Sequence, residues 1–279
     1  MRFTKMHGIG NDYVYVNCFE EQIDDPAALA VKMSRLHYGV GSDGLILICP
    51  SDVADFAMKM YNADGSESEM CGNGVRCIGK YVYDKGLTDK TTVNLMTGGG
   101  LKELHLNVEE GRVKSVRVDM GMPELAPKQI PVDLPGEMVM GHRLNVGANT
   151  YEIHCVSMGN PHCIIFVKDP DVVDVEQVGS LLENHAIFPK RANIEFVQVV
   201  DREHLRMRVW ERGSGETLAC GTGACASLVA AVLTGRADRR VSMELLGGTL
   251  QLEWNADDGH VYQEGPAKFV FDGEWIGEE

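Results

Sequence analysis

The sequence has little that would suit a membrane or a nucleic acid as partner. No run of about 18 or more apolar residues occurs in its 279 residues, so no membrane-spanning helix is expected. The first residues, Met1-Arg2-Phe3-Thr4-Lys5, lack the apolar core of a secretory signal, which predicts a cytoplasmic protein. Basic residues are scarce, 26 against 41 acidic ones, and the formal charge of −15 disfavours nucleic acid and anionic membrane surfaces.

Motifs for metals and cofactors are missing as well. The eight cysteines include no Cys-x-x-Cys pair and no Cys/His cluster at zinc spacing, so no metal framework is predicted. There is no glycine-rich dinucleotide fingerprint and no obvious lysine motif for pyridoxal phosphate. We therefore expect neither a metal nor a cofactor, and cysteines that are mostly reduced, as is usual in the cytosol.

What the sequence does contain is a twofold repeat. Asn11 and Asn160, each preceded by glycine, are 149 positions apart, and so are Cys71 and Cys220, each of which begins a Cys-Gly-x-Gly motif. At the same separation Gly86 matches Gly235, and the turn at 98–101 matches residues 247–250. Four landmarks in one order at one separation indicate an internal duplication, with too few copies for a solenoid.

Residue patterns predict the same elements in both halves. Alternating apolar residues predict strands at 54–61 and 205–209, and each is followed by a loop, a Cys-Gly-x-Gly motif and a helical segment. The segment 221–234 is apolar nearly all round and should be enclosed, whereas 73–85 carries Arg76, Lys80 and Asp84 and should be less enclosed. Further helices are expected at 26–37 and 175–185. The predicted fold is α/β (α+β), with two similar domains, each a curled, mostly antiparallel sheet around a central helix.

The crossing between the halves is expected at the proline-rich stretch 123–135. An ordinary surface loop inside one domain is the alternative interpretation of these prolines.

Both Cys-Gly-x-Gly motifs place a thiol where a loop becomes a helix. The unpaired N–H groups and the positive dipole end there favour a thiolate, and they also suit a bound carboxylate. Cys71 and Cys220 could instead be small buried residues, as free cysteines often are. The other six cysteines do not match across the repeat, and we expect them to pack in the core.

Two such thiols related by duplication suit the inversion of a stereocentre. If the two domains face each other across a cleft, one thiol can remove an α-proton and the other can deliver a proton to the opposite face. The helix-end N–H groups would stabilise the carboxylate as negative charge moves onto it. From a different class of protein, a redox-sensing or anion-binding protein whose two thiols form a disulfide is the alternative interpretation of this chain.

Several polar residues also fall at matched positions. Asn11 matches Asn160, Asn62 matches Glu211, and Gly44 matches Asn193. Converging ligand contacts would explain these residues, but asparagines also favour turns. Glu211 and Arg212 could bind an ammonium and a carboxylate, or could form an exposed salt bridge. His162 could tune the charge of a thiol or could be a structural histidine.

Together these segments resemble the diaminopimelate epimerase family. The resemblance runs in order from about residue 3 to about residue 271, through these motifs: His7–Asp12, Asn62–Ser66, Met70–Cys77, Met158–Cys163, Glu211–Gly213 and Ala219–Ala224. It implies a cofactor-independent isomerase, generally dimeric, which interconverts LL- and meso-diaminopimelate for lysine and peptidoglycan synthesis. It also implies that the last strands pack back onto the first domain, giving domains at 1–121 with 265–279 and at 122–264.

The resemblance also assigns roles to matched residues. Cys71 and Cys220 resemble the catalytic base and acid, and His162 and Glu211 resemble residues that support the thiols and the reacting amine. Other matched positions resemble contacts to the substrate: Asn11, Asn62, Gly72, Asn73, Asn160, Asn193, Glu211, Arg212, Gly221 and Thr222. At Gly44 some family members have a glutamine that reaches the ligand, so a contact there is not expected in this chain. Proline or hydroxyproline racemase is the alternative within the same fold; Asn193 and Arg212, suited to a second carboxylate, favour diaminopimelate.

Overall fold

The computed structural model describes residues 1–147 and 149–277, and the chain divides into two compact units. The first unit comprises Met1–Val118 and Gly265–Glu279, and the second comprises Asp119–Glu264. The first segment of the first unit thus ends at Val118, three residues before the predicted boundary after residue 121. The proline-rich stretch 123–135 therefore falls in the second unit, where Ile130 and Val132 are buried in the hydrophobic core.

The first unit is mostly β-structure with two helices. Its elements are β1 (Arg2–Gly8), β2 (Asn11–Asn17), α1 (Pro26–Ser34), β3 (Gly44–Cys49), β4 (Phe56–Asn62), β5 (Glu67–Ser68), α2 (Gly72–Asp84), β6 (Thr92–Thr97), β7 (Gly100–Glu109), β8 (Arg112–Asp119), and, from the end of the chain, Lys268–Glu274. This last strand pairs antiparallel with β1, so the C-terminal residues complete the first unit. Helix α2 packs against β1, β2 and β7.

The second unit repeats this plan. Its elements are β9 (Val139–Val146), β10 (Asn149–Ser157), β11 (Pro161–Phe166), α3 (Val175–Glu183), β12 (Asn193–Val199), β13 (His204–Glu211), β14 (Gly215–Thr217), α4 (Gly221–Leu233), β15 (Arg240–Leu245), β16 (Gly248–Trp254) and β17 (Val261–Gly265). Helix α4 packs against β10, β11, β12 and β16. Most strand pairs are antiparallel, but β11 runs parallel to β12, as β2 does to β3.

Strand register identifies the two units as copies. Val14 is paired with Leu45 in the first unit, and Cys163 with Ile194 in the second, so both partners are shifted by the same 149 positions. Helices α2 and α4 are each 13 residues long and begin at matched positions. The predicted fold class, a mixed α/β chain built by internal duplication, is confirmed.

The separation of 149 does not hold along the whole repeat. The hairpin between β6 and β7 closes with Thr97 opposite Gly100, whereas its counterpart between β15 and β16 closes with Leu245 opposite Gly248, 148 positions on. The second copy is therefore one residue shorter between the end of the helix and the next strand. The predicted match of 98–101 with 247–250 is wrong by one position, because the second copy lacks one residue before this hairpin.

Helix ends follow capping chemistry. The Asp25 carboxylate accepts a hydrogen bond from the Ala28 N–H at 2.9 Å and begins α1, and Asp174 does the same for α3 with the Gln177 N–H at 3.0 Å. The two helices end at Ser34 and Glu183, earlier than predicted. In the part of the chain that the structure covers, none of the helices has the length and apolar character needed to cross a bilayer.

Helix α2 is more enclosed than the sequence suggested. Its apolar counterpart α4 is buried over most of its length, as predicted. In α2, however, Arg76 is completely buried, and so are the residues around it. The prediction of a less enclosed helix was wrong because Arg76 points into the unit, where Asn73 Oδ1 accepts a hydrogen bond from its guanidinium.

Candidate active site

Cys71 begins helix α2 in the first unit. It is the N-cap residue, with extended backbone angles (φ −130°, ψ 119°), and its side chain is half-buried. Its Sγ–H donates to Asn11 Oδ1 at 3.2 Å, and the Asn73 amide nitrogen donates to the same oxygen at 3.2 Å. The structure thus brings three predicted site residues together at one helix start.

A completely buried arginine and the Asp43 carboxylate contact the two asparagines beside Cys71. The Arg76 guanidinium donates to Asn73 Oδ1 at 2.6 Å from a completely buried position, and Asn11 Nδ2 donates to Asp43 Oδ2 at 2.7 Å. Burial raises the pKa of Asp43, and the Asp12 N–H that also donates to it opposes that rise. The sequence indicated neither Arg76 nor Asp43 as a site residue, although Arg76 stands five residues after Cys71 in the motif.

Cys220 begins helix α4 in the second unit and is buried. The Gly223 N–H donates to its Sγ at 3.4 Å, so the first turn of the helix caps itself with the cysteine sulfur. The Thr222 hydroxyl lies 3.6 Å from the same sulfur. A thiolate at this position would receive a hydrogen bond from the backbone and would face the positive end of the helix.

A chain of hydrogen bonds runs from Thr222 to a buried carboxyl group. The Asn160 amide nitrogen donates to Thr222 Oγ1 at 3.3 Å, and Asn160 Oδ1 lies 2.9 Å from His162 Nε2. The other ring nitrogen, Nδ1, lies 2.7 Å from Glu195 Oε1. His162 and Glu195 have no exposed surface at all. Glu195 was not identified from the sequence, although a single carboxyl residue within the apolar strand run Ile194–Val197 was an available signal.

Glu211 supplies a second carboxyl group near Cys220. It accepts a hydrogen bond from the Thr217 hydroxyl at 2.5 Å, and burial raises its pKa. The pKa of the Cys220 thiol is raised well above its usual value, first by burial and then by the negative charges of Glu211 and Glu195. Burial and the two nearby carboxyl groups therefore favour the protonated thiol of Cys220 over the thiolate.

Asn193 and Arg212 are joined through the backbone. The Arg212 N–H donates to Asn193 Oδ1 at 2.9 Å, and Asn193 Nδ2 donates to the Pro161 carbonyl at 3.1 Å. The Arg212 side chain donates to the Lys190 carbonyl at 3.0 Å. Asn193 thus fixes the start of the loop that carries Arg212, a structural role that the sequence did not predict.

The remaining predicted positions lie at turns and helix starts. Asn62 ends β4, and its side chain donates to the Ser66 hydroxyl at 3.0 Å. A Cβ on Gly44 would lie 2.1 Å from the Tyr61 carbonyl oxygen, so no side chain can occupy that position. A Cβ on Gly221 would lie 2.6 Å from Gln263 Nε2, so this helix start also requires glycine.

Among the described residues, His162, Glu195 and Cys220 form a group of possible metal-binding side chains, with one atom of each within 4.8 Å of the others. Nitrogen, oxygen and sulfur atoms of this kind suit Zn²⁺. Both ring nitrogens of His162, however, already lie at hydrogen-bond distance from oxygens. We therefore interpret this group as a hydrogen-bonded acid/base cluster.

Solved structures define the class of fold. The chain superimposes on a hydroxyproline epimerase from Agrobacterium vitis, solved with bound trans-4-hydroxy-L-proline, with a TM-score of 0.72 and 15% identity over 98% of this chain and 91% of that one. It is equally similar to a protein of the phenazine biosynthesis PhzF family from Bacillus anthracis, with a TM-score of 0.72 and 18% identity over 99% of both chains. At these identities the comparison establishes the fold alone.

Sequence comparison gives the particular family. The pattern of the diaminopimelate epimerase family matches residues 3–126 and 154–270. A diaminopimelate epimerase from Acetivibrio thermocellus is 55% identical over 274 residues, 98% of each chain. The chain belongs to the diaminopimelate epimerase family and is an isomerase. The resemblance predicted from the motifs is confirmed.

Proposed function

We propose that this protein interconverts LL- and meso-2,6-diaminopimelate by cofactor-independent proton transfer at the α-carbon, with Cys71 and Cys220 as the two acid/base groups. One observation carries the assignment of these residues. Each cysteine is the N-cap of a 13-residue helix at matched positions of a duplicated unit, in a chain that belongs to this family.

The chemistry follows from one thiolate and one thiol. The thiolate removes the α-proton from one face of the carbon, forming an S–H bond, and the thiol of the other cysteine delivers its proton to the opposite face. The two sulfurs exchange protonation states in each turnover, so the reverse reaction uses the same groups. Proton transfer by positioned groups contributes about 10²–10⁴-fold to the rate.

The N–H groups at the two helix starts would hold the reacting carboxylate. They belong to Gly72 and Asn73 in one unit and to Gly221 and Thr222 in the other. Because negative charge moves onto this carboxylate as the α-proton leaves, donors fixed in advance by the helices stabilise the transition state more than the substrate.

Other side chains would recognise the rest of the substrate. We assign Asn11, Asn62, Asn160, Asn193 and Arg212 to substrate contacts, and Glu211 to the reacting amine and the adjacent thiol. Arg212 presents a planar fork that matches a carboxylate in two hydrogen bonds, which suits the distal end of diaminopimelate. His162 would act on the thiol of Cys220, which belongs to the same acid/base cluster.

We also propose the domain boundaries, the cellular location and the oligomeric state of the enzyme. The domains would be residues 1–121 with 265–279 and residues 122–264, each with one of the two cysteines. We propose a cytoplasmic homodimer whose partner is the small-molecule substrate, without nucleic acid or membrane. The acidic composition, with a formal charge of −15, supports the last point.

Exchange of the α-hydrogen tests this function. Purified protein in D₂O should incorporate deuterium into diaminopimelate, and Cys71→Ala or Cys220→Ala should each lower epimerisation at least about 100-fold. Cys18→Ala, which removes a half-buried cysteine outside the site, should leave the rate unchanged. Near-normal epimerisation by either active-site variant would exclude the two-base mechanism.

The same assay separates the alternatives. The fold shared with a hydroxyproline epimerase makes proline or hydroxyproline the competing substrate class, so the assay is run with both amino acids. Turnover of proline without turnover of diaminopimelate would favour that class. A thiol pair that oxidises reversibly but exchanges no α-hydrogen would identify a redox sensor.

A further inference from the structure

One member of the acid/base cluster of the second unit, the buried carboxyl group of Glu195, has no role in the mechanism above. Glu195 has no exposed surface, and its Oε1 lies 2.7 Å from His162 Nδ1. Its second oxygen, Oε2, has no hydrogen-bond partner among the described residues. Burying an ionisable group with one oxygen unsatisfied costs free energy, so packing alone does not explain a glutamate here.

The repeat supplies an internal comparison. The position matched to Glu195 in the first unit is Ile46, and both residues lie under the first turn of the helix. A Cβ on Gly74 would lie 2.7 Å from Ile46 Cδ1, and a Cβ on Gly223 would lie 2.5 Å from Glu195 Oε1. An aliphatic side chain therefore fills this place well in the first unit.

The hydrogen bonds around His162 fix the number of protons on the pair. Asn160 Nδ2 donates to Thr222, which turns Oδ1 of Asn160 toward His162 Nε2, so that ring nitrogen must carry a proton. Another proton must lie between Nδ1 and Glu195 Oε1, because two acceptors would repel at 2.7 Å.

The proton between the two side chains has two possible positions. On Nδ1 it gives an imidazolium and a carboxylate, and on Oε1 it gives a neutral ring and a carboxylic acid. Either way the pair holds two protons and has no net charge. Burial raises the pKa of Glu195, which favours the carboxylic acid, while the adjacent His162 opposes that rise.

We propose that Glu195 is a positioning residue for the Cys220 acid/base group, acting through His162. Its carboxyl group fixes the orientation of the ring and keeps a second proton on the pair. When Cys220 becomes a thiolate, the proton moves along the hydrogen bond, so that the Oε1–H bond breaks and the Nδ1–H bond forms. The ring then carries positive charge beside the thiolate, and the carboxylate carries the compensating negative charge.

Three titratable groups lie near Cys220, namely His162 from β11, Glu195 from β12 and Glu211 from β13. Glu195 and Glu211 disfavour the thiolate, and within this group only a protonated His162 favours it. This explains why a carboxyl group that can protonate the ring serves the reaction better than an aliphatic residue.

The test compares Glu195→Gln with Glu195→Ile. Glutamine keeps the volume and one hydrogen bond to the ring but cannot stabilise an imidazolium, and isoleucine reproduces the packing of the first unit. We expect both to lower kcat by about 10- to 150-fold, the loss typical of a charged hydrogen bond, with KM changed less than about threefold. Asp84→Asn, which removes another buried carboxylate paired with Lys80, should lower stability but leave kcat unchanged.

Alkylation of Cys220 gives a readout that does not depend on turnover. Iodoacetamide labelling at fixed pH, followed by peptide mass spectrometry, should show slower labelling of Cys220 in Glu195→Gln and unchanged labelling of Cys71. In a His162→Gln background, adding Glu195→Gln should have no further effect on either measurement. Faster labelling of Cys220 would mean that Glu195 acts directly on the thiol as a negative charge, and would overturn the role of His162.

Unchanged kcat and labelling, with only a lower melting temperature, would make Glu195 a packing residue and overturn the proposal. The inference depends on Cys220 being an acid/base group, so Cys220→Ala is measured in the same series. If Cys220→Ala epimerises normally, the proposed function fails. If Cys220→Ala is inactive while both Glu195 variants turn over normally, the inference about Glu195 alone fails.

Discussion

The contacts of Asn193 allow a stability effect to be worked out in advance. In the native chain its Oδ1 accepts from the Arg212 N–H at 2.9 Å and its Nδ2 donates to the Pro161 carbonyl at 3.1 Å, from a buried position. Asn193→Asp keeps the shape and the first hydrogen bond. It replaces the second donor by an oxygen that faces the Pro161 carbonyl oxygen.

The loss of unfolding free energy can be estimated from the Pro161 carbonyl, which Asn193→Asp leaves without a donor. A buried carbonyl without a donor costs about 1–3 kcal/mol, so unfolding free energy should fall by about that amount at pH 8. For a chain of this size this corresponds to a decrease in Tm of about 2–4 °C per kcal/mol. Because Asn193 positions the Arg212 loop, kcat/KM for diaminopimelate should fall as well.

The pH dependence has a definite sign. Burial beside a carbonyl raises the pKa of the introduced aspartate above its unfolded value of about 3.9. Its protonated form can donate to Pro161, so the variant loses no stability below that unfolded pKa. The loss grows as pH rises through the folded pKa and is complete above it.

Thermal unfolding followed by circular dichroism between pH 5 and 8 measures this effect. Asn145→Asp is the matched control, because Asn145 is exposed and would still accept from the Thr150 hydroxyl; its unfolding free energy should change by less than about 0.5 kcal/mol. A stability difference for Asn193→Asp that stayed the same at every pH, or that grew on acidification, would refute this account of the Pro161 contact.

Three further predictions follow from the site. Arg212→Lys should lower kcat/KM for diaminopimelate by about 10- to 150-fold while leaving the alkylation rates of Cys71 and Cys220 unchanged, and normal kinetics would move recognition of the distal carboxylate elsewhere. Gly223→Ala should lower unfolding free energy by about 1–3 kcal/mol in denaturant titrations, because the new Cβ lies 2.5 Å from Glu195 Oε1; a neutral effect would mean that the carboxyl group can move aside. The rate of epimerisation should depend on pH as a bell that belongs to the coupled pair of cysteines, and a flat profile through the range where thiols titrate would contradict a thiolate–thiol mechanism.

Local patterns in the sequence were sufficient to predict the duplication, the two helix starts and the family. The separation between Cys71 and Cys220 identified the duplication, and the loop-to-helix change at each cysteine predicted two helix starts that the structure contains. These features were predictable because glycines, caps and periodic apolar residues act over a few positions along the chain. The family could be recognised for the same reason, since its motifs are short and local.

Contacts between residues distant in sequence decided which polar side chains are buried and what they contact. Glu195 reaches His162 because β11 and β12 run parallel and pair His162 with Asn193, two residues before Glu195, a register set by the fold of the whole unit. Arg76 is buried although its charge predicted exposure, because Asn73 accepts its hydrogen bond inside the unit. Ile46 and Glu195 occupy the same place in two copies, and only packing and hydrogen bonds show that one fills space while the other contacts a histidine. A sequence records which residue stands at each position, but the cost of burying a charge depends on the neighbours that the tertiary structure supplies.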